Sequence, residues 1–211
     1  MFVEEKVYVF WAEVPRQRHR LLTLSEHLAP EEGERVARFR LVADRERFIV
    51  GRGLLRETLA GHLQVAPRDL VFSYNRWGKP ALADFSAVEF NLSHAHEVVA
   101  LAFALGRKVG IDVERVDRAV NVLGLAERFF TADEAALLRG LDEPRRTAEF
   151  FRAWTRKEAF VKAHGQGLSR PLEPDDDERA HWTAVELSCA DGYVANLCAE
   201  AGAWRLEVGA L

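Results

Sequence analysis

Residues 109–114 read Val109-Gly110-Ile111-Asp112-Val113-Glu114, and the alternation within them sets the reading of the chain on either side. Side chains in a strand change face with a period of two, so Val109, Ile111 and Val113 share one side while Gly110, Asp112 and Glu114 share the other. The first set suits a core. The second puts two carboxylates together beside a glycine, whose missing side chain leaves room for a ligand. Carboxylates on one face repel unless positive charge intervenes, and a hard divalent cation such as Mg2+ takes oxygen ligands of this kind. The bland alternative is an amphipathic strand with a solvated acidic face.

Upstream of this strand, residues 106–108 mark a boundary, and the order of elements before it resembles the order after it. Residues 2–11 carry aromatic and β-branched residues and form a strand, and residues 21–28 a short helix. Pro30 suits the first position of a helix, with Glu31, Glu32 and Glu34 in its first turns. Asp44 is placed to cap the next helix, whose apolar face is Phe48, Leu54, Leu55 and Leu59, and Gly61 marks its end. Residues 69–74, 87–92 and 97–104 form short strands, with Trp77-Gly78-Lys79-Pro80 as a turn between the first two. Downstream come helices, with Thr131 and Glu134 as a capping box, then strands at 182–187, 193–199 and 204–208, with Asp191-Gly192 as a hairpin signal. Runs of helix and runs of strand argue an α+β fold. Residues 1–106 and 107–211 form its two expected halves.

A second chemical segment is Phe150 to His164, a helix that Gly165 and Gly167 end. Glu158 and Lys162 lie one turn apart on its face, behind Phe151 and Thr155, and Phe150 pairs with Trp154 on the next stripe. An ordinary surface pair of this kind is worth only about 0.2–0.5 kcal/mol, whereas a carboxylate and an ammonium beside a pyrophosphate would have separate work. The third segment is Asn91-Leu92-Ser93-His94, placed where a strand gives way to a turn. Amides, a hydroxyl and an imidazole gathered there could hold a phosphate, or could simply be a hydrogen-bonded turn. Lys79 before Pro80 is open to the same two readings.

Composition narrows the classes. With 48% apolar residues in 211, the chain can bury a substantial core, and no apolar run approaches the roughly 20 residues of a membrane span. Glu4, Glu5 and Lys6 do not fit a signal peptide, which places the chain in the cytoplasm. A net charge of -4 speaks against a nucleic-acid binder. Arg16, Arg18, His19 and Arg20 make a basic knot, and the acidic run Glu173 to Glu178, punctuated by Pro171 and Pro174, is a solvated loop. Cys189 and Cys198 form no CxxC pair and are expected as free thiols in strands.

Together these pieces resemble the surfactin-type 4'-phosphopantetheinyl transferases, whose pattern runs G-K-P, N-[IL]-S-H, G-[IV]-D-[IV]-E and W-x-x-K-E-x-x-x-K. Here they stand in that order as Gly78 to Pro80, Asn91 to His94, Gly110 to Glu114 and Trp154 to Lys162, and Arg128-Phe129-Phe130 with the T-x-x-E after it is also similar to family sequence. The resemblance implies a monomer of two similarly folded halves with the active site in the cleft between them. It implies Mg2+ on Asp112, Glu114 and Glu158, and Glu158 and Lys162 as catalytic residues, Glu158 as ligand, general base or both. It implies coenzyme A held by Arg35, Lys79, Ser93, His94, Asp112 and Lys162. Some relatives carry a further basic residue three positions before Arg35, where this chain has Glu32. The implied reaction moves 4'-phosphopantetheine from coenzyme A to a serine of an apo acyl or peptidyl carrier protein of fatty-acid, polyketide or nonribosomal peptide synthesis. Rival readings are a non-catalytic protein that only holds coenzyme A and carriers, and a Mg2+-dependent phosphohydrolase or kinase; no G-x-x-x-x-G-K-[ST] loop supports the kinase.

Overall fold

A computed structural model describes residues 3–116, 119–167 and 180–211. The acidic run from Glu173 to Glu178 lies outside the described residues. The strands are β1 (Lys6–Glu13), β2 (Phe72–Tyr74), β3 (Pro80–Leu82), β4 (Val88–Ala95), β5 (Val98–Leu105), β6 (Val109–Arg115), β7 (Trp182–Leu187), β8 (Tyr193–Glu200) and β9 (Arg205–Ala210). The helices are α1 (Val14–Gln17), α2 (Leu21–Glu26), α3 (Pro30–Arg38), α4 (Val42–Leu63), α5 (Val122–Phe129), α6 (Ala132–Gly140) and α7 (Arg145–His164).

Alternation along β5 explains how these elements stack. Val99, Leu101 and Phe103 point one way and join Leu54, Leu55 and Leu59 of α4 in one core. Ala100, Ala102 and Ala104 point the other way and, with Val7 and Val9, meet Val109, Ile111, Val113, Ala195, Leu197 and Ala199. Alanines on this face let two sheets approach closely. One sheet has the order β4-β5-β1-β9 and the other β6-β8-β7. Outside the second sheet lies α7, where Cys198 packs with Ala159, Phe160 and Ala163. The layers therefore run helix, sheet, sheet, helix, with one long helix on the outer face of each sheet, and the expected α+β fold of two halves is what the chain adopts.

Several local expectations are corrected. Asp44 does not cap α4; the cap position is Leu41, and the helix runs through Gly61 to end at Gln64 in the left-handed region. Cys189 lies between β7 and β8 rather than in a strand, while Cys198 is buried in β8, where desolvation pushes its thiol up to about 12. Asn91 to His94 sit inside β4 and not at its end, the turn falling at His96 and Glu97. The last strand stands outside the second sheet. β9 instead runs parallel to β1, with Lys6 opposite Arg205 and Trp11 opposite Ala210. The capping box of Thr131 and Glu134 forms as expected, Glu134 receiving the Thr131 amide at 2.9 Å.

Candidate active site

The even-numbered face of β6 is buried at Gly110 and Asp112, while Glu114 is half-buried. A Cβ added at Gly110 would stand 2.2 Å from both Ala159 O and Ala163 N, so this glycine exists to let the backbone of α7 lie against the strand. That corrects the expectation that its missing side chain admits a ligand. Close packing of helix on strand is also what brings Asp112 beneath Lys162. The Lys162 ammonium donates to Asp112 Oδ1 at 2.6 Å and to Ser93 Oγ at 2.9 Å, and Ser93 Oγ donates to the same Asp112 oxygen at 2.9 Å.

Ser93 reaches this cluster because β4 and β6, the facing edges of the two sheets, are joined by side chains instead of a backbone ladder. Asn91 Oδ1 accepts from the Ile111 amide at 2.9 Å, and Ser93 Oγ accepts from the Val113 amide at 3.4 Å. Asn91 and Ser93 are both buried, and they occupy the same strand face as the small residues of β5 opposite them. His94, one residue on, necessarily faces the other way. The Asn-Leu-Ser-His segment thus serves two sides of one strand, with Asn91 and Ser93 turned to the seam.

Asp112 is 5% exposed, and its second oxygen, Oδ2, is buried and accepts no hydrogen bond. Glu158 is held above the usual carboxylate range, first by desolvation and then by the negative charge of Asp112, with Glu114 adding to the rise and Lys162 opposing it. Lys162 gives its hydrogen bonds to Asp112 and Ser93, so the surface ion pair within α7 is not the arrangement formed. Among the described residues no three His, Cys, Asp or Glu side chains are drawn into a ready metal cluster.

Two adjacent hollows lie beside this cluster. One, of ≈ 270 Å³, is lined by Glu158, Lys162, Lys79, Trp77 and Gly165; the other, of ≈ 230 Å³, by Arg35, Arg47, Arg52, Phe48, Tyr74 and His94. Gly78, Pro80, Asn91 and Leu92 border both. Arg35 and His94 are thus brought together, and desolvation, followed by the adjacent Arg47 guanidinium, lowers the His94 imidazole below its ordinary range. Sequence reasoning missed Arg47 and Arg52; their spacing on α4, with Phe48 and Gly51 between, was the available signal. Glu32, which stands where some relatives are basic, is buried and pairs with Arg52 at 2.7 Å and Arg56 at 2.6 Å. Lys79 sends its ammonium into the protein, to Ala163 O at 2.9 Å and Val109 O at 3.3 Å. Larger hollows of ≈ 450 and ≈ 560 Å³ lie against β7, β8 and the start of α7, and none of the expected site residues lines them.

A stacked pair of sheets carries a carboxylate and ammonium cluster at one seam, and the hollow lined by Glu158 and Lys162 adjoins an arginine-rich one, an arrangement suited to a ligand of high negative charge. Residues 108–208 match the model of the 4'-phosphopantetheinyl transferase superfamily, and residues 11–105 match that of the 4'-phosphopantetheinyl transferase N-terminal family. The chain is 34% identical over 216 residues to the 4'-phosphopantetheinyl transferase HetI of Nostoc sp., covering 96% of this chain and 91% of that protein. It is 32% identical over 168 residues to the 4'-phosphopantetheinyl transferase Sfp of Bacillus subtilis, covering 80% and 74%. The chain belongs to the 4'-phosphopantetheinyl transferase superfamily.

The acids of this site suit the magnesium ion that membership implies. Asp112 Oδ2 is an orphaned buried acceptor, the donors are all hard oxygens, and the mutual repulsion felt at Glu158 is what a cation relieves. Among the described residues no helix is long and apolar enough to cross a membrane.

Proposed function

We propose that this chain is a cytoplasmic, monomeric enzyme that transfers the 4'-phosphopantetheine arm of coenzyme A to a serine hydroxyl of an apo acyl or peptidyl carrier protein. Adenosine 3',5'-bisphosphate is the other product. The observation that carries the reading is the Ser93, Asp112 and Lys162 cluster, set beside a carboxylate of raised pKa in a hollow that adjoins an arginine-rich one.

The half from 1 to 106 holds the nucleotide end, with Arg35 and His94 toward its phosphates and Arg47 and Arg52 adding positive charge. The half from 107 to 211 supplies the acids and Lys162. Asp112, Glu114 and Glu158 would hold Mg2+, which when bound neutralises the pyrophosphate and favours departure of the bisphosphate. In the transfer the serine oxygen forms a bond to the β-phosphorus, and the bond from that phosphorus to the bridging oxygen breaks. Lys162, half-buried at the seam, offers its ammonium to the charge that develops on the leaving phosphate. Ser93 holds Lys162 in this orientation. Glu158 is the group placed to take the serine proton, since a carboxylate held above its usual range is a stronger base than one in water. Its work as a metal ligand competes with that role, because a bound oxygen is a poorer proton acceptor.

Incubation with coenzyme A, Mg2+ and a panel of apo carrier domains from fatty-acid, polyketide and nonribosomal peptide synthesis tests the reading by mass spectrometry. The expected result is one phosphopantetheine adduct per carrier, with an equal amount of adenosine bisphosphate. Bisphosphate release without a carrier would identify a hydrolase instead. Tight binding of coenzyme A with no adduct on any carrier would point to a holding protein.

A further inference from the structure

Lys79 does not behave as a free cation in the cleft. Its side chain is 15% exposed, and its ammonium lies on the carbonyls of Ala163 and Val109 and 3.7 Å from Glu89. Asn75 works with it. The Asn75 Oδ1 accepts from the Trp77 and Lys79 amides at 2.9 and 3.0 Å, which shapes the turn, and its Nδ2 donates to Gly165 O at 2.8 Å. Both carbonyls, of Ala163 and Gly165, belong to the C-terminal end of α7, where the last turn of a helix leaves acceptors unpaired and carries partial negative charge. Gly165 has φ +80, and a Cβ there would stand 2.9 Å from Lys79 Cδ, so the residue that ends the helix also makes way for the lysine stem.

We propose that the turn from Asn75 to Lys79 is a latch by which the first half grips the end of the catalytic helix, and that Lys79 is a positioning residue for Glu158 and Lys162. Lys162 directly precedes Ala163, and the seam contacts of Lys162 depend on the register of α7 against β6 and β4. Freeing the helix end lets that register slip. This assignment rests on the transfer reaction proposed above, and it moves Lys79 from nucleotide binding to helix placement.

The test compares Lys79→Met, Lys79→Arg and Asn75→Ala in the full chain. Four quantities are measured: kcat, the affinity for adenosine 3',5'-bisphosphate, the KM ratio of coenzyme A to 3'-dephospho-coenzyme A, and hydrogen exchange at the amides of 160–165. A latch predicts that Lys79→Met and Asn75→Ala each lower kcat by about tenfold to a hundredfold, the range that a misplacement of roughly 1 Å produces. Exchange at the end of α7 should quicken, while bisphosphate affinity and the KM ratio hold within about twofold. Arg at 79, which keeps the charge, should recover part of kcat. A tenfold or greater loss of bisphosphate affinity, with the KM ratio collapsing and kcat and exchange unchanged, would overturn the latch and make Lys79 a nucleotide ligand. Should Lys79→Met not fold, Asn75→Ala and Lys79→Arg carry the same readouts. If the unmodified chain transferred nothing to any carrier, the reaction would fail while exchange and bisphosphate affinity still judged the latch.

Discussion

Along β1 and β9 the second half joins the first by a parallel backbone ladder, whereas along β4 and β6 the same halves are stitched by the side chains of Asn91 and Ser93. A ladder uses groups that every residue but proline possesses, so it tolerates changes of side chain. A stitched seam depends on particular residues, and in return it leaves hydroxyl, amide and carboxylate groups at a join that can be redirected toward a ligand. The candidate site sits at the second kind of join, where side chains and not a backbone ladder make the contact.

Substitutions can sharpen this contrast. The largest effect on stability is expected at Gly110, where the neighbours of an added methyl are backbone atoms of α7 that cannot turn aside. Gly110→Ala should cost more than about 3 kcal/mol in a denaturant titration, or give insoluble protein. Next comes Asn91→Ala, which leaves the Ile111 amide buried without its acceptor; a loss of about 1–3 kcal/mol is expected, with a parallel fall in activity as β6 shifts under Lys162. A loss below about 0.5 kcal/mol at Asn91 would mean that the seam is not held by its side chains.

Glu158 gives a smaller, pH-dependent effect of opposite sign. Desolvation and then the charges of Asp112 and Glu114 hold it above its ordinary value of 4.5. The folded chain therefore binds this proton more tightly than the unfolded chain, so stability is lost as pH climbs from 4.5 through the raised value, and the loss is complete beyond it. Without Mg2+ at neutral pH, Glu158→Gln should raise Tm by at most a few degrees, and the gain should vanish toward about pH 4. Adding Mg2+ should stabilise the unmodified chain more than the variant. The smallest effect belongs to the ladder: Val208→Ala, on an exposed residue of β9, should stay within about 0.5 kcal/mol and leave transfer rates alone. A larger cost there would erase the difference between the two joins.

What could be read from the chain divides along the same line. Local periodicity exposed β6 and α7, because alternation and a terminating glycine are written within a few residues, and with them the carboxylates and Lys162. The turn from Trp77 to Pro80 was visible as a turn, but the grip of Asn75 and Lys79 on residues 165 and 163 depends on contacts 90 and 84 positions apart. The role of Gly110 was misread because a strand pattern shows that space is needed and not what fills it. Arg47 and Arg52 were passed over inside a helix whose apolar face was the stronger signal. The parallel pairing of β9 with β1 has no local signature, since neither strand contains anything that names its partner.

That pairing has a consequence for how the chain can be divided. The inner strand Val7-Tyr8-Val9-Phe10-Trp11 is covered on one side by β5 and on the other only by residues 205–210. A fragment cut after residue 106 would carry an apolar strand with one row of amides and carbonyls bare, a template for joining other copies edge to edge. The outermost strand guards against this in the intact chain, where Arg205 and Glu207 turn exposed charge to the water. The strand that shields the first half from self-association is thus contributed by the other half of the chain.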